Sequence, residues 1–176
     1  MNIAALASLF GAYFLAIAQA QFTELVWEDC PLSDYDFQGT LKFCQDGTTF
    51  GYNLNDGDAC GGLSPLIRVQ AGKSYQLRLE NQATVATNLH THGLHIPGDG
   101  NSDDVTRSVS PGSCLFYNYT IAEDHADGTY WYHAHLHKST LDQINGGAFG
   151  LFVVDPKDSA SRPDFLRNEH RLLLLN

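Results

Sequence analysis

The chain has 176 residues, of which 43% are hydrophobic and 17% charged, a balance typical of one globular domain with a buried core. Its formal net charge is -10 and it contains no long run of like charges. The composition therefore excludes the basic patch that phosphate recognition requires, and with it nucleic acid as an expected partner.

The first segment, residues 1–20, predicts a cleaved secretory signal. Residues 3–17 carry no charge and consist mainly of Ala, Leu, Phe and Ile, and the following Ala-Gln-Ala has the small-x-small pattern of a signal-peptidase site. This apolar run is shorter than the roughly 20 residues of a membrane-spanning helix, although an uncleaved anchor is the alternative. We expect a secreted, extracellular protein that begins near Gln21 and has no stable membrane span.

Residues 21–62 predict an N-terminal extension that packs on the main domain. The segment is rich in Cys, Asp and Gly and has short extended pieces such as residues 40–43. It holds three of the four cysteines, and an even number of cysteines in an exported chain predicts two disulfides. Three connectivities are open, because spacing alone does not choose among them. The four cysteines are Cys30, Cys44, Cys60 and Cys114.

Residues 63–155 predict the main domain, an all-β, antiparallel sandwich. Short runs of alternating residues are separated by turn formers such as Pro-Gly, Asp-Gly and Gly-Gly. In one run Tyr75, Leu77 and Leu79 share a face, because side chains alternate along a strand. No long helical period occurs, so we expect at most short helices. The predicted strands are residues 66–69, 74–79, 114–121, 128–135 and 148–154.

Two His-x-His pairs, His90 with His92 and His133 with His135, predict a metal site. In a strand, residues i and i+2 lie on the same face about 6.6 Å apart, so each pair directs two imidazoles into one volume. A single pair is often an ordinary polar face, but burying four imidazoles without partners would cost about 1–3 kcal/mol per unsatisfied group. Copper is the expected metal by affinity order, with zinc or iron as alternatives. We expect the aromatic residues 130–132 to shield the site.

The remaining histidines predict no second site. His137 is expected to support the ligands by hydrogen bonds rather than to bind metal. His95, His125 and His170 stand outside the motifs and are expected to have ordinary structural or surface roles. The cysteines are too widely spaced for a zinc finger, and neither a G-x-S-x-G nucleophile motif nor a Gly-rich phosphate loop occurs.

Two further segments complete the chain. Asn118-Tyr119-Thr120 is an N-glycosylation sequon, which is usable only if the organism glycosylates and the site is exposed. Residues 156–176 are expected to be a linker and the start of a missing second domain, because residues 171–175 read as a strand with no following partner. A terminal edge strand of the same domain is the alternative.

Several of these motifs together resemble the first domain of laccase-type multicopper oxidases. Residues 90–93, His-Thr-His-Gly, resemble the family's first His-x-His-Gly motif, and residues 131–135 resemble its second His-x-His motif. The resemblance covers about residues 63–155 and implies a plastocyanin-like domain, a Greek-key cupredoxin β-sandwich or barrel. Other matching pieces are residues 100–104, Pro111-Gly112, Asp142-Gln143 and residues 146–150.

The resemblance also implies copper as the cofactor and a role for each ligand. His90 would bind the type 2 copper, and His92, His133 and His135 would bind the type 3 pair. In the family, an acidic residue shortly after the first motif serves proton delivery. Asp103 is the matching catalytic residue, and Asp104 is the alternate because the register is open.

A complete member of that family has further copper-binding parts. This sequence lacks its His-Cys-His motif for a blue copper and four further cluster histidines. We therefore expect the chain to supply half of a type 2/type 3 cluster for one-electron substrate oxidation coupled to dioxygen reduction. It would be inactive alone and would need the missing cupredoxin domains or another chain. The alternative is a stand-alone extracellular copper-binding cupredoxin without oxidase activity.

Overall fold

The computed structural model describes residues 23–26, 28–29 and 35–158, so the predicted signal, Cys30 and residues 159–176 lie outside the described residues. Within them almost all regular structure is β, which confirms the predicted fold class. No helix in this part of the chain is long and apolar enough to cross a bilayer. The elements are β1 (Glu28–Asp29), β2 (Phe37–Asp46), β3 (Thr49–Asn53), β4 (Ile67–Gln70), β5 (Ser74–Asn81), β6 (His90–His92), β7 (Cys114–Thr120), β8 (Gly128–His133), α1 (Thr140–Asn145) and β9 (Phe149–Asp155).

The first sheet is built around β2. Its strand order is β1-β2-β5-β7, and β3 also pairs with β2. β1 and β3 pair antiparallel with opposite ends of β2, while β5 runs parallel to it from Phe37 to Phe43. Residues 37–53, which the sequence placed in an extension packing on the domain, thus contribute two strands to the sheet itself. The proposed boundaries of the chain's segments stay a prediction.

The second sheet has the strand order β4-β9-β8-β6 and carries both histidine motifs. β9 pairs antiparallel with β8 and parallel with β4. The expectation of wholly antiparallel sheets was therefore wrong, since both β2–β5 and β4–β9 are parallel. Alternation of apolar and polar residues reports which face is buried and carries no information about the direction of the neighbouring strand.

The core lies between the sheets and follows the predicted alternation. Tyr75, Leu77 and Leu79 of β5 are buried, and the intervening Gln76 and Arg78 are only partly buried, on the other face. The largest side chains of this core include Phe43, Tyr52, Tyr117, Tyr119, Tyr132 and Phe152.

One disulfide, Cys44–Cys60, joins β2 to the loop between β3 and β4. It confirms that the chain contains a disulfide and fixes the pairing of two of its cysteines. Cys114 is exposed at the start of β7 and forms no disulfide within the described residues. A second disulfide stays a prediction, because Cys30 lies outside them.

The contact between Gly150 and Tyr132 gives a testable measure of core packing. The two residues are opposite each other on β9 and β8, and the buried Tyr132 hydroxyl donates a hydrogen bond to the Pro65 carbonyl at 2.6 Å. A Cβ at position 150 would overlap the Tyr132 ring. We expect Gly150→Ala to lower the free energy of unfolding by about 1–3 kcal/mol, measured by urea denaturation.

Gly62→Ala is the matched control, because an added Cβ there meets nothing within 4 Å. Its free energy of unfolding should stay within about 0.5 kcal/mol of the wild type. Equal stability of the two variants would show that the Tyr132 ring has room to move.

Candidate metal centre

The first His-x-His motif and the start of the second lie on neighbouring strands at one edge of the second sheet. β6 pairs antiparallel with β8, which sets His90 opposite His133 and His92 opposite Trp131. Directly opposed residues in such a ladder have Cα atoms about 4.5–5.5 Å apart. The register therefore brings the first motif and the start of the second into contact.

All four predicted ligands meet in one cluster. The ring centroid of His90 lies 5.1 Å from those of His133 and His135 and 5.5 Å from that of His92. The ligand nitrogens of His90, His92 and His133 all lie within 4.8 Å of one another. His92 Nδ1 and His133 Nε2 are 3.4 Å apart.

His133 is held in the form that a metal needs. Its Nδ1 lies 3.0 Å from the Ala134 carbonyl oxygen, to which it can donate, and this leaves the Nε2 lone pair facing His92. Burial lowers the pKa of His133 to about 4, so the ring is neutral at neutral pH. Neutral imidazole is the metal-binding form of histidine.

Asp103 lies against His90. Its Oδ2 is 2.8 Å from His90 Nδ1, a close polar contact without the alignment of a hydrogen bond, and its Oδ1 accepts the Thr91 N–H at 2.8 Å. The Asp103 N–H donates to the Pro97 carbonyl at 3.0 Å, which fixes the turn that delivers the carboxylate. Asp104 instead accepts hydrogen bonds from the Thr106 hydroxyl and N–H. Of the two candidates, only Asp103 contacts the histidine cluster.

Asn88 positions the second motif, a role that sequence reasoning missed. Its fully buried side chain accepts the His135 N–H at 2.8 Å and donates to the carbonyls of Val105 (2.8 Å) and Arg107 (3.2 Å). The predicted strand of residues 128–135 therefore ends at His133. The His135 N–H is bonded to the Asn88 side chain instead of to the backbone of a neighbouring strand. The sequence gives one indication of this role, which is that a polar residue, Asn88, stands two positions before the first motif.

Trp131 shields the cluster as expected, whereas His137 does not support it. The Trp131 ring stacks on His133 at 4.1 Å and on His92 at 4.9 Å between centroids. His137 is exposed and makes no hydrogen bond to the four ligands within the described chain, so the role expected of it was wrong.

The other described histidines are engaged elsewhere. His125 Nε2 accepts the His95 N–H at 3.0 Å, and His125 Nδ1 lies 2.9 Å from the Ala126 carbonyl oxygen. Both ring nitrogens of His125 are thus used within the fold, in agreement with a structural role. His170 lies outside the described residues.

The cluster is closed towards the sheet and open on the other side. His133 is buried and His90 half-buried, whereas His92 and His135 are exposed. Several neutral nitrogen donors converging on one volume suit copper, zinc, iron or nickel. Fold and site together define a β-sandwich with a candidate metal centre at the edge of one sheet.

Comparison with known proteins names the family. The multicopper oxidase family model matches residues 60–159. The iron transport multicopper oxidase of Kluyveromyces lactis is 39% identical over 107 residues, which cover 57% of this chain and 16% of that protein. L-ascorbate oxidase of Cucurbita pepo var. melopepo is 33% identical over 115 residues (62% and 20%), and Laccase-1 of Thanatephorus cucumeris is 32% identical over 148 residues (72% and 25%).

Solved structures agree. A multicopper oxidase from Campylobacter jejuni, a metallo-oxidase, has a TM-score of 0.59 at 29% identity over 78% of this chain and 29% of its own. A laccase-like multicopper oxidase from Ochrobactrum sp. has a TM-score of 0.60 at 27% identity over 81% and 31%. The chain belongs to the multicopper oxidase family, with its cupredoxin fold and copper as cofactor. It spans only 16% to 25% of the length of the three relatives named above.

Proposed function

We propose that this chain is the copper-binding first domain of a secreted multicopper oxidase and supplies half of a type 2/type 3 copper cluster. The observation that carries the proposal is the convergence of four imidazoles at one sheet edge, two of them exposed. In this assignment His90 holds the type 2 copper, and His92, His133 and His135 hold the type 3 pair.

The donor set fits copper. His92 Nδ1 and His133 Nε2 are 3.4 Å apart, close enough that both would be able to bind one copper ion. His133 is neutral, and among the described residues its Nε2 has no polar contact other than that with His92. When bound, copper supplies the one-electron chemistry by which substrate oxidation is coupled to dioxygen reduction.

Asp103 is the residue we assign to proton delivery. Its carboxylate is buried, yet it lies beside His90 at the inner wall of the cluster. The Thr91 N–H holds one carboxylate oxygen, which leaves the other facing the His90 ring and able to hold a proton there. Asp103 thus has two roles: it orients the His90 ring, and it provides a group beside that ring that can hold a proton.

The open side of the cluster is where the rest of the site would be added. His92 and His135 face solvent there, and the sequence contains no His-Cys-His motif for a blue copper. The missing cupredoxin domains or another chain would supply the remaining ligands on that side, and the chain alone would be inactive. The predicted signal in residues 1–20 and the Cys44–Cys60 disulfide favour an extracellular, oxidising location.

Copper titration of the purified chain tests the site. We expect about one to two copper ions per chain, since four imidazoles can supply two or more ligands to each. Replacing His90 and His133 together with alanine should abolish stoichiometric binding, measured by metal analysis and electron paramagnetic resonance. His137→Ala is the matched control, because that exposed histidine lies outside the cluster, and it should keep full binding.

Absence of stoichiometric copper in the folded wild-type chain would contradict a preformed half-site. It would show that these histidines need their partners before they bind metal.

A stand-alone copper-binding domain is the second candidate, because the four imidazoles already converge within this one chain. The two candidate functions predict different oxidase turnover when the complementary cupredoxin domains are added to the chain. Oxidation of a phenol or of Fe(II) by the copper-loaded chain together with its complementary domains would establish the oxidase half-site. Full copper binding with no turnover in that mixture would favour the stand-alone domain.

A further inference from the structure

The glycosylation sequon lies on the outer face of the first sheet. Asn118 and Thr120 both belong to β7 and are two residues apart, so they point to the same side. The inward residues Tyr117 and Tyr119 are buried, whereas Thr120 is exposed and Asn118 is partly exposed. Asn118 begins the one Asn-x-Ser/Thr sequence in the 176 residues.

The amide of Asn118 ends a row of side-chain hydrogen bonds across three strands. Gln38 Nε2 donates to Gln76 Oε1 at 2.9 Å, and Gln76 Nε2 donates to Asn118 Oδ1 at 3.2 Å. This row therefore uses the oxygen of Asn118 and not its nitrogen. Within the described part of the chain Nδ2 donates no hydrogen bond. This nitrogen is the atom to which an N-linked sugar is attached.

An exposed aromatic ring lies on the same face of β7 as Asn118. Phe116 is two residues before Asn118 and lies on the same outer face of the strand. Its side chain is 43% exposed, whereas the tyrosines on the inner face are buried in the core. It borders a shallow groove of about 200 Å³ on the outer face, whose walls include Gln38, Gln76 and Arg78. An apolar ring beside amide and guanidinium donors suits a sugar, which has C–H faces and hydroxyl edges.

We propose that Asn118 carries an N-linked glycan and that its first sugar packs on Phe116. In the transfer, Asn118 Nδ2 forms a bond to C1 of the sugar and loses one proton. The bond between C1 and the diphosphate of a lipid-diphosphate-linked oligosaccharide breaks, and the lipid diphosphate leaves. No oxidation or reduction is involved. The free nitrogen, the shared face and the exposed ring are independent of the copper site.

Expression in a glycosylating secretory host tests the modification. The full chain is produced once with its own N-terminal segment and once with a host signal peptide in place of residues 1–20. After treatment with peptide N-glycosidase, a glycosylated Asn118 is converted to aspartate, which peptide mass spectrometry detects. We expect this conversion in the exported wild type and in Thr120→Ser, and none in Asn118→Gln or Thr120→Ala.

An exported chain with unmodified Asn118 under both signal peptides would overturn the proposal. Copper binding is measured on the same samples, so a failure of this inference is distinguishable from a failure of the proposed function.

A second measurement tests the contact with Phe116. Removing the glycan from the wild type should lower the midpoint of thermal unfolding by about 2–4 °C, because the sugar no longer covers the ring. In Phe116→Ala the same removal should change the midpoint little. Leu141→Ala, which alters an exposed apolar side chain on α1 outside this groove, is the matched control and should keep the wild-type shift. An equal shift in Phe116→Ala and the wild type would overturn the packing of the sugar on this ring.

Discussion

Replacing Asn88 with alanine should lower the free energy of unfolding by about 3–4 kcal/mol. The buried amide makes three hydrogen bonds, to the His135 N–H and to the carbonyls of Val105 and Arg107. Each buried group left unsatisfied costs about 1–3 kcal/mol, and partial exposure of the two carbonyls reduces their share. Urea denaturation measures the loss, and copper titration should show weaker binding because His135 loses its anchor.

Asn145→Ala is the matched control for Asn88→Ala. Asn145 is exposed at the end of α1, so its replacement should stay within about 0.5 kcal/mol of the wild type. If Asn88→Ala were as stable as this control, the loop from Val105 to Arg107 would be held by other contacts. The assignment of Asn88 as the residue that positions His135 would then be wrong.

Replacing Asp103 with alanine should raise the copper dissociation constant by about 10–100-fold. A carboxylate that contacts a ligating histidine fixes the ring and raises its basicity, and loss of such a partner has effects of this size in metal sites. Asp103 contacts His90 and also accepts the Thr91 N–H, so both the ring and the strand that carries it would be less well placed. Competition with a chelator of known affinity measures the change.

Two further variants separate the roles of Asp103. Asp104→Ala removes the neighbouring carboxylate, which hydrogen-bonds only to Thr106 among the described residues, and should keep wild-type copper affinity. Asp103→Asn keeps an oxygen for the Thr91 N–H and removes the negative charge, so it should bind copper with intermediate affinity. Equal copper affinity of Asp103→Ala and Asp104→Ala would contradict a specific role for Asp103 at the cluster.

The sequence predicted the sandwich and the convergence of the four histidines because both follow from short-range patterns. Alternation over residues 74–79 reports the buried face of β5, and each His-x-His pair is local in sequence. Two such pairs converge only if their strands are neighbours, and the pairing of β6 with β8 meets that condition. The family resemblance indicated the same four candidate ligands through motif identity.

Long-range contacts explain what the sequence did not predict. The parallel pairings β2–β5 and β4–β9 depend on how the chain crosses between sheets, which alternation does not encode. The end of β8 at His133 depends on the hydrogen bond that the His135 N–H donates to Asn88, a residue 47 positions earlier in the chain. The choice between Asp103 and Asp104 depends on the turn fixed by the Pro97 carbonyl.

The position of β9 in the second sheet has a consequence for biosynthesis. β9 is the last described strand, and it holds β4 on one side and β8 on the other, while β6 is attached only through β8. Both histidine motifs therefore leave the ribosome before the strand that organises them. Pairings between residues far apart in the chain also form slowly. Copper should be acquired after translation has passed residue 155, so the metals available where folding finishes determine which ion the histidines receive.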